Sequence, residues 1–146
     1  MSTLKEKSDK NIKAALVLTS TEEICLSSVH CAYYSCFQLV IHLLETKLSL
    51  DKMERKRRYD KYVEGVRDAG GSKILGSHEY WLTQFINDYR GRSSSEVPYI
   101  YTNLLLLRQA RLESDYESTD FSKKKTDDIY DLALDLRKKI IKTYER

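Results

Sequence analysis

A long apolar segment at residues 22–48 constrains the fold of this chain more than any other feature of its sequence. Six large apolar side chains share one helical face at about 100° per residue, and Ile41 extends that face: Leu26, Val29, Tyr33, Phe37, Val40 and Leu44. The opposite stripe is polar: Ser28, Ser35, Gln38, His42 and Glu45. An apolar face this wide predicts the central helix of a bundle.

Five further segments show helical patterns, at about residues 4–18, 51–68, 77–89, 98–116 and 122–144. Only five glycines and one proline interrupt the chain, which disfavours a many-turned β-sandwich. Gly70 and Gly71 end the third segment, residues 91–97 form a loop, and Pro98 suits the first turn of the fifth helix. We therefore expect one all-α domain over residues 1–146, an antiparallel helical bundle of four to six helices.

Charge, cysteine content and hydropathy narrow the functional classes. Lys and Arg number 25 against 22 acids, and a net charge of +3 does not by itself establish nucleic-acid binding. Cys25, Cys31 and Cys36 fall in one segment, which indicates reduced thiols. The first residues lack the apolar run of a signal peptide, and no stretch approaches the roughly 20 apolar residues of a membrane span. We expect a cytoplasmic protein without membrane contact.

Motifs of the common catalytic classes are missing from the sequence. It has no histidine pair at i,i+4, no Cys-x-x-Cys, no acidic calcium loop, no glycine-rich phosphate loop and no serine nucleophile elbow. The sequence therefore predicts no metal site and no cofactor, and it disfavours an NTPase, a metallohydrolase or an esterase.

Two arginines and an aspartate near the end of the fifth helix are the most informative polar group. Arg108 and Arg111 are i,i+3 neighbours, Arg111 and Asp115 are i,i+4 neighbours, and all three lie at the edge of the face that includes Leu104. One interpretation is an ion pair that orients side chains at a bundle or dimer seam. The other is a phosphate clamp, because a planar guanidinium can bind phosphate through two donors.

The three histidines differ in their expected surroundings. His30 falls on the apolar face of the second helix, where a hydrogen-bonded core histidine is the simpler expectation. His42 falls on the polar stripe, where we expect contact with solvent. His78 lies in the first turn of the fourth helix, accessible and best placed of the three to reach a substrate, although a surface role is the alternative. His78 and His30 are the candidates for catalysis.

A basic run occupies the third helix. Residues 52–61 contain six cationic side chains against Glu54 and Asp60, with Tyr59 and Tyr62 interleaved. The simpler interpretation is a solvated surface helix, and the alternative is contact with RNA or an acidic partner. The candidate RNA contacts are Arg55, Lys56, Arg57, Arg58 and Lys61.

Three segments resemble one protein family. Residues 32–37, Ala-Tyr-Tyr-Ser-Cys-Phe, resemble the Ala-Tyr-Tyr-x-x-Phe signature in the central helix of HEPN domains. Residues 111–116 are similar to the Arg-x-x-Ala-Asp-Tyr signature of stand-alone bacterial and archaeal HEPN proteins, with Ser114 in place of alanine. Ser77 and His78 before an apolar helix, and a long closing helix, also suit that group. The resemblance covers most of the chain and leaves residues 51–75 as a variable basic helical insertion.

The resemblance implies a helical bundle, usually a homodimer, linked to RNA or nucleotide handling, toxin–antitoxin modules or phage defence, with a nucleotidyltransferase-type protein as a possible partner. Ribonuclease members of the family share an Arg-x-His motif with about four to six intervening residues. That histidine position begins here at Tyr116 and continues through Glu117 and Ser118, and Cys31 stands where an arginine is common. The standard nuclease motif is therefore absent.

We expect a HEPN-like protein that binds nucleotide, RNA or a protein partner through Arg108, Arg111, Asp115 and Tyr116. Two alternatives stay open. One is a metal-independent RNA-cleaving toxin in which His78 or His30 supplies an imidazole from another helix. The other is a purely structural dimerisation module.

Overall fold

The computed structural model describes residues 3–19, 25–116 and 122–145, without the side chains of Cys25, Leu26 and Tyr116. This part of the chain is all-α and holds no β-strand. It forms six α-helices: α1 (Leu4–Thr19), α2 (Cys25–Lys47), α3 (Lys52–Asp68), α4 (Ser77–Arg92), α5 (Val97–Tyr116) and α6 (Lys123–Tyr144). The prediction of an all-α chain is confirmed.

Local capping explains where two of the helices begin. The Asp51 carboxylate accepts a hydrogen bond from the Glu54 amide at the start of α3, and the Ser122 hydroxyl accepts one from the Lys125 amide at the start of α6. The prediction of a loop over residues 91–97 is wrong in part. Helix α4 continues to Arg92, and a short 3-10 helix spans Ser94–Glu96.

Helix α2 lies at the centre, in contact with α1, α4, α5 and α6. Its polar stripe does not face solvent along its whole length, because α1 packs against it. Ser28 and Ser35 are buried, and the Ser28 hydroxyl donates to the carbonyl of Ala15 at 3.0 Å while the carbonyl of Ser35 accepts from the Ser8 hydroxyl at 2.5 Å. Small hydroxyl side chains permit this close approach, so α2 is buried on more of its surface than the apolar pattern predicts.

Helix α6 is tied to α1 and α2 by a buried arginine. Arg137 Nη1 donates to the Ser35 carbonyl at 2.8 Å and to the Ser8 hydroxyl, and Nη2 lies 2.7 Å from Asp9 Oδ1. The side chain is only 8% exposed. Most of its donors therefore have partners on two neighbouring helices, as burial of a charge requires.

Helix α3 lies at the periphery and has no fully buried residue. Two tyrosines attach it to the segment before α4: the Tyr59 hydroxyl donates to the Leu75 carbonyl at 2.8 Å, and the Tyr62 hydroxyl accepts from the Leu75 amide at 3.1 Å. The Tyr62 ring also stacks on Tyr80, with ring centroids 4.7 Å apart. Whether residues 51–75 are a variable insertion stays a prediction.

The start of α2 and the end of α5 lie side by side, because these helices run in opposite directions. Tyr34 contacts Arg111, and His30 contacts Asp115. The first turn of α4 reaches the same place through His78, which contacts Tyr33. Three helices thus bring together the residues that carry the sequence motifs. Within the described ranges, no helix combines the length and the apolar composition that crossing a membrane requires.

Candidate functional site

Arg111 is held in a fixed position by contacts with two helices. Its Nε lies 2.8 Å from Asp115 Oδ2, one turn later on α5, and its Nη2 donates to the Tyr34 hydroxyl at 3.1 Å. The guanidinium carbon also lies 5.3 Å from the centroid of the Tyr34 ring, within the range of a cation–π contact. The side chain is 14% exposed. The predicted ion pair between Arg111 and Asp115 is confirmed, and it supports a guanidinium that is largely removed from water.

Arg108 lies on the preceding turn of α5 and differs in its partners. Its Nε is buried without a hydrogen-bond partner, and its guanidinium forms no ion pair with any residue that the structure describes. Its positive charge acts on α2 and α4, since it opposes the rise that burial causes in the pKa of the Tyr33 hydroxyl and adds to the fall that burial causes in the pKa of the His78 imidazole. A buried guanidinium nitrogen without an acceptor is uncommon in folded proteins and requires an explanation.

His78 is part of an aromatic cluster rather than an accessible surface residue. Its ring stacks on Phe37 with centroids 4.0 Å apart, and its Nδ1 lies 2.9 Å from the Tyr33 hydroxyl oxygen. Burial lowers the pKa of the imidazole, and the charges of Arg111 and Arg108 lower it further. Burial also raises the pKa of the Tyr33 hydroxyl, so this phenol stays protonated. The expectation of an accessible His78 therefore holds only in part, because the ring is half-buried.

His30 also differs from its expected position. It is not a core histidine, because its side chain is 44% exposed and its Nδ1 lies 3.0 Å from Asp115 Oδ2. The His30 ring packs against the ring of Tyr34, one turn later on α2, with ring centroids 4.6 Å apart. The helical pattern could not reveal this, since it does not show where the end of α5 meets α2. His30 and Asp115 line an open cleft of about 320 Å³, together with Ser27, Cys31 and Ser114.

Asp115 therefore connects His30 on α2 with Arg111 on α5. One carboxylate oxygen, Oδ2, contacts both His30 on α2 and Arg111 on α5. The sequence pattern assigns Tyr33 and Phe37 to the apolar face of α2, and Tyr34 only to the family signature. In the structure, the rings and hydroxyls of these three residues contact His78 and Arg111. Their recurrence at i, i+1 and i+4 was the available signal. The side chain of the fourth predicted ligand contact, Tyr116, lies outside the described residues.

Three of the six cations in the basic run on α3 pair with the two acids of that run, which still leaves an excess of positive charge over residues 52–61. Arg57 and Arg58 both pair with Glu54, which lowers the pKa of that carboxyl to about 2, and Lys56 pairs with Asp60. Arg55, one of the predicted RNA contacts, is mostly removed from solvent. Its side chain is 13% exposed, and its Nη1 donates to the Leu50 carbonyl at 2.6 Å and approaches Glu45 at 3.4 Å. Lys61 remains exposed and forms no ion pair with the described part of the chain.

His42 lies away from this site, whereas Cys31 lines the cleft beside His30. His42 is half-buried in a cleft between α1, α2 and α3, and burial followed by the charge of Lys5 lowers its pKa. Cys31 and Cys36 are free thiols whose pKa values are raised by burial, to about 12 for Cys36. Nowhere in residues 3–19, 25–116 or 122–145 do three or more His, Cys, Asp or Glu side chains form a group that could hold a metal ion.

Comparisons with known proteins add no relative. No protein-family model matches the sequence, and neither a curated protein nor a solved structure matches the chain significantly.

Proposed function

We propose that this protein binds a phosphate-bearing ligand, a nucleotide or RNA, between Arg108, Arg111 and His78, as a HEPN-like protein without the standard nuclease motif. The observation that carries the proposal is the buried Nε of Arg108, which lacks a partner in the described part of the chain. Leaving a buried donor unpaired costs about 1–3 kcal/mol, and more for a charged group. A ligand that accepts from this guanidinium would offset that cost.

Phosphate suits this position better than a neutral ligand does. Arg108 and Arg111 carry two guanidiniums on successive turns, and only Arg111 has a carboxylate partner in the described chain. A guanidinium presents paired donors that match the spacing of phosphate oxygens. Tyr33, Tyr34 and Phe37 surround the site, and their rings lower the local dielectric and so strengthen the attraction.

The HEPN resemblance belongs to this proposal. The three segments that carry the resemblance lie in contact with one another, which supports it. Tyr34 of α2 contacts Arg111 of α5, and Tyr33 of α2 contacts His78 of α4. We propose the family's common states as well, namely a homodimer and a nucleotidyltransferase-type protein partner.

Titration of the protein with adenosine 5′-monophosphate (AMP) and with a fluorescent single-stranded RNA tests the proposal. We expect Arg108→Met to weaken binding of at least one ligand by about 10- to 100-fold, because it removes charge-assisted hydrogen bonds. Lys56→Met is the matched control, since Lys56 is exposed and pairs with Asp60 on its own helix. Circular dichroism checks that both variants keep their helices. Absence of binding by the wild-type protein at millimolar AMP and micromolar RNA, or equal binding by Arg108→Met, would contradict the proposal.

A second candidate function is metal-independent RNA cleavage, which the contact between His30 and Asp115 favours. A carboxylate on Nδ1 orients the imidazole and leaves Nε2 to accept or donate a proton beside the bound phosphate. Incubation of RNA with the protein in excess chelator tests this function. Cleavage that His30→Ala abolishes supports it, whereas intact RNA at micromolar wild-type protein counts against it. Loss of cleavage in His78→Ala alone would assign the proton transfer to His78 instead.

The third candidate, a structural dimerisation module, is supported by an apolar groove between α5 and α6. The groove has a volume of about 460 Å³, and its apolar lining comes from Leu106, Ala110, Ile129 and Leu132. Leu106 is 48% exposed and adds apolar surface to this groove, as expected of a contact surface. A stable dimer by light scattering, together with no affinity for AMP or RNA at any salt concentration, would favour this function over the first two.

A further inference from the structure

We infer that the phosphate bound at this site is a terminal, doubly charged phosphate, and that His78 takes up a proton when it binds. The inference rests on the proposed function, and it specifies the class of phosphate: a monoester such as a nucleotide or an RNA end, in preference to an internal phosphodiester. It follows from the charges that surround His78 and from the free edge of its ring.

The first step is the charge balance of the site. Arg111 is neutralised by Asp115 at 2.8 Å, whereas Arg108 has no carboxylate partner in the described chain. The groups that face His78 are Tyr33 and Tyr34 from α2 and the two arginines from α5, and no carboxylate of the described residues acts on the pKa of its ring. The site therefore offers one uncompensated positive charge. A phosphodiester carries one negative charge, and a phosphate monoester carries up to two near neutral pH.

The second step is the position of the imidazole. Its Nδ1 contacts the Tyr33 hydroxyl, and its Nε2 makes no hydrogen bond to any residue within the described ranges. A phenol can either donate to Nδ1 or accept from it, so the same contact suits neutral and protonated His78. His78 therefore has a free nitrogen to donate to a ligand and can change its charge without losing its contact with Tyr33.

The third step is the effect of a ligand on the proton. In the empty site, burial and the two arginines disfavour the imidazolium. A dianion between Arg108 and His78 reverses the sign of the nearby charge and favours a proton on the ring. One proton from solvent then sits on His78, and the second charge of the phosphate is balanced. A monoanion is balanced by Arg108 alone and gives no comparable reason for proton uptake.

A matched pair of ligands tests this inference. AMP carries a terminal phosphate, and 3′,5′-cyclic AMP carries the same base and ribose on a phosphodiester. In buffer without phosphate, nitrogen NMR of the imidazoles measures the charge of His78, and phosphorus NMR measures protonation of AMP itself. We expect saturating AMP to raise the pKa of His78 by about one unit or more, which corresponds to a tenfold gain in affinity. Cyclic AMP should raise it by much less.

Variants separate this inference from the proposal on which it rests. Wild-type protein should bind AMP about tenfold more tightly than cyclic AMP at pH 6.5, and His78→Gln should bind the two within about threefold. His42→Gln, a substitution in a distant cleft, is the matched control and should keep the preference. One result would overturn this inference but not the proposed phosphate site: both ligands bind equally well, His78 stays neutral in each complex, and Arg108→Met loses the binding of both. Binding of neither ligand would overturn both. NMR on the wild-type protein decides the result even where His78→Gln fails to fold.

Discussion

Two arginines at different places in this molecule differ in the partners that the neighbouring helices offer to their buried atoms. Arg137 on α6 has acceptors on α1 and α2, among them the Ser35 carbonyl at 2.8 Å and Asp9 at 2.7 Å. Arg108 on α5 has a buried Nε with no acceptor in the described chain. Both interrupt apolar helical faces, so their positions in the sequence do not distinguish them. The difference lies in which groups the neighbouring helices present.

The neighbours of each arginine determine that difference. Around Arg137, the small side chains of Ser8 and Ser35 bring backbone and hydroxyl oxygens close to the guanidinium. The charge of Arg108 acts instead on Tyr33 of α2 and His78 of α4, whose rings stack on each other and on Phe37. The first environment satisfies the charge of Arg137, and the second offers the Arg108 Nε no acceptor among the described residues. Substitution of each arginine by methionine should therefore affect stability very differently.

The largest effect is expected from Arg137→Met. The substitution keeps an unbranched side chain but removes the guanidinium, which leaves the buried Ser8 hydroxyl and Ser35 carbonyl with fewer partners and Asp9 without this cation. We expect the free energy of unfolding to fall by about 3 kcal/mol. Urea denaturation measures it, with Lys138→Met on the exposed side of α6 as a control that should change it by less than about 0.5 kcal/mol. A loss below about 1 kcal/mol would show that Arg137 is not a structural charge.

Arg55→Met should have an intermediate effect, because Arg55 has a partial set of partners. The substitution removes the hydrogen bond to the Leu50 carbonyl at 2.6 Å and the weaker contact with Glu45. We expect a loss of about 1.5 kcal/mol by urea denaturation, and less than about 0.5 kcal/mol for Lys56→Met, whose ion pair is exposed. RNA binding should be unchanged in Arg55→Met. Weaker RNA binding with unchanged stability would return Arg55 to the group of RNA contacts.

Much of the fold could be predicted from the sequence, because helical periodicity and breakers are local signals. All six helices are present, and α3 and α6 end at the predicted residues, Asp68 and Tyr144. The burial of Ser28 and Ser35 could not be predicted, since it depends on how closely α1 approaches α2. Arg137 escaped notice for the same reason: a cation on the buried side of a helix gives no sign of the oxygens that neighbouring helices will present to it.

The candidate site could be predicted only within one helix. The i,i+4 pair of Arg111 and Asp115 is a property of α5 alone, and the structure contains it. The contacts of His30 and His78 depend on which helices meet, so helical periodicity does not predict the surroundings of either histidine. The many charges of α3 predict an exposed Arg55, whereas the turn before α3 provides the Leu50 carbonyl as an acceptor for its guanidinium.

The stability of the protein should decrease as the pH falls from about 7 to 5.5. The pKa values of His78 and His42 are both lowered in the folded state, mainly by burial, so the unfolded chain binds protons that the folded chain does not. Their contribution is complete above the ordinary value of about 6.5 and is lost below it. Because both side chains are partly exposed, the slope should stay well under the limit of about 1.4 kcal/mol per pH unit for one proton. Thermal unfolding at several pH values measures the slope.

His78→Gln tests the origin of that slope, because glutamine keeps a hydrogen-bonding group and does not titrate. The variant should lose stability less steeply between pH 7 and 5.5 than the wild-type protein. Saturating AMP should also reverse the trend for the wild-type protein, since a ligand that favours protonated His78 stabilises the folded state more at lower pH. A steeper fall in the presence of AMP would contradict the proposed charge balance.

Arg108→Met should have the smallest effect on stability and, alone among the three arginine substitutions, the opposite sign. Methionine fills the space of the side chain between α2 and α5 and removes a buried donor that lacks a partner in the described chain. We expect the free energy of unfolding to stay the same or rise by less than about 1 kcal/mol, while phosphate binding is lost. Arg108→Lys keeps the charge without the paired donors, so it should recover only part of the affinity. A loss of about 3 kcal/mol, as in Arg137→Met, would mean that Arg108 has a structural partner in solution, and the distinction between the two arginines would fail.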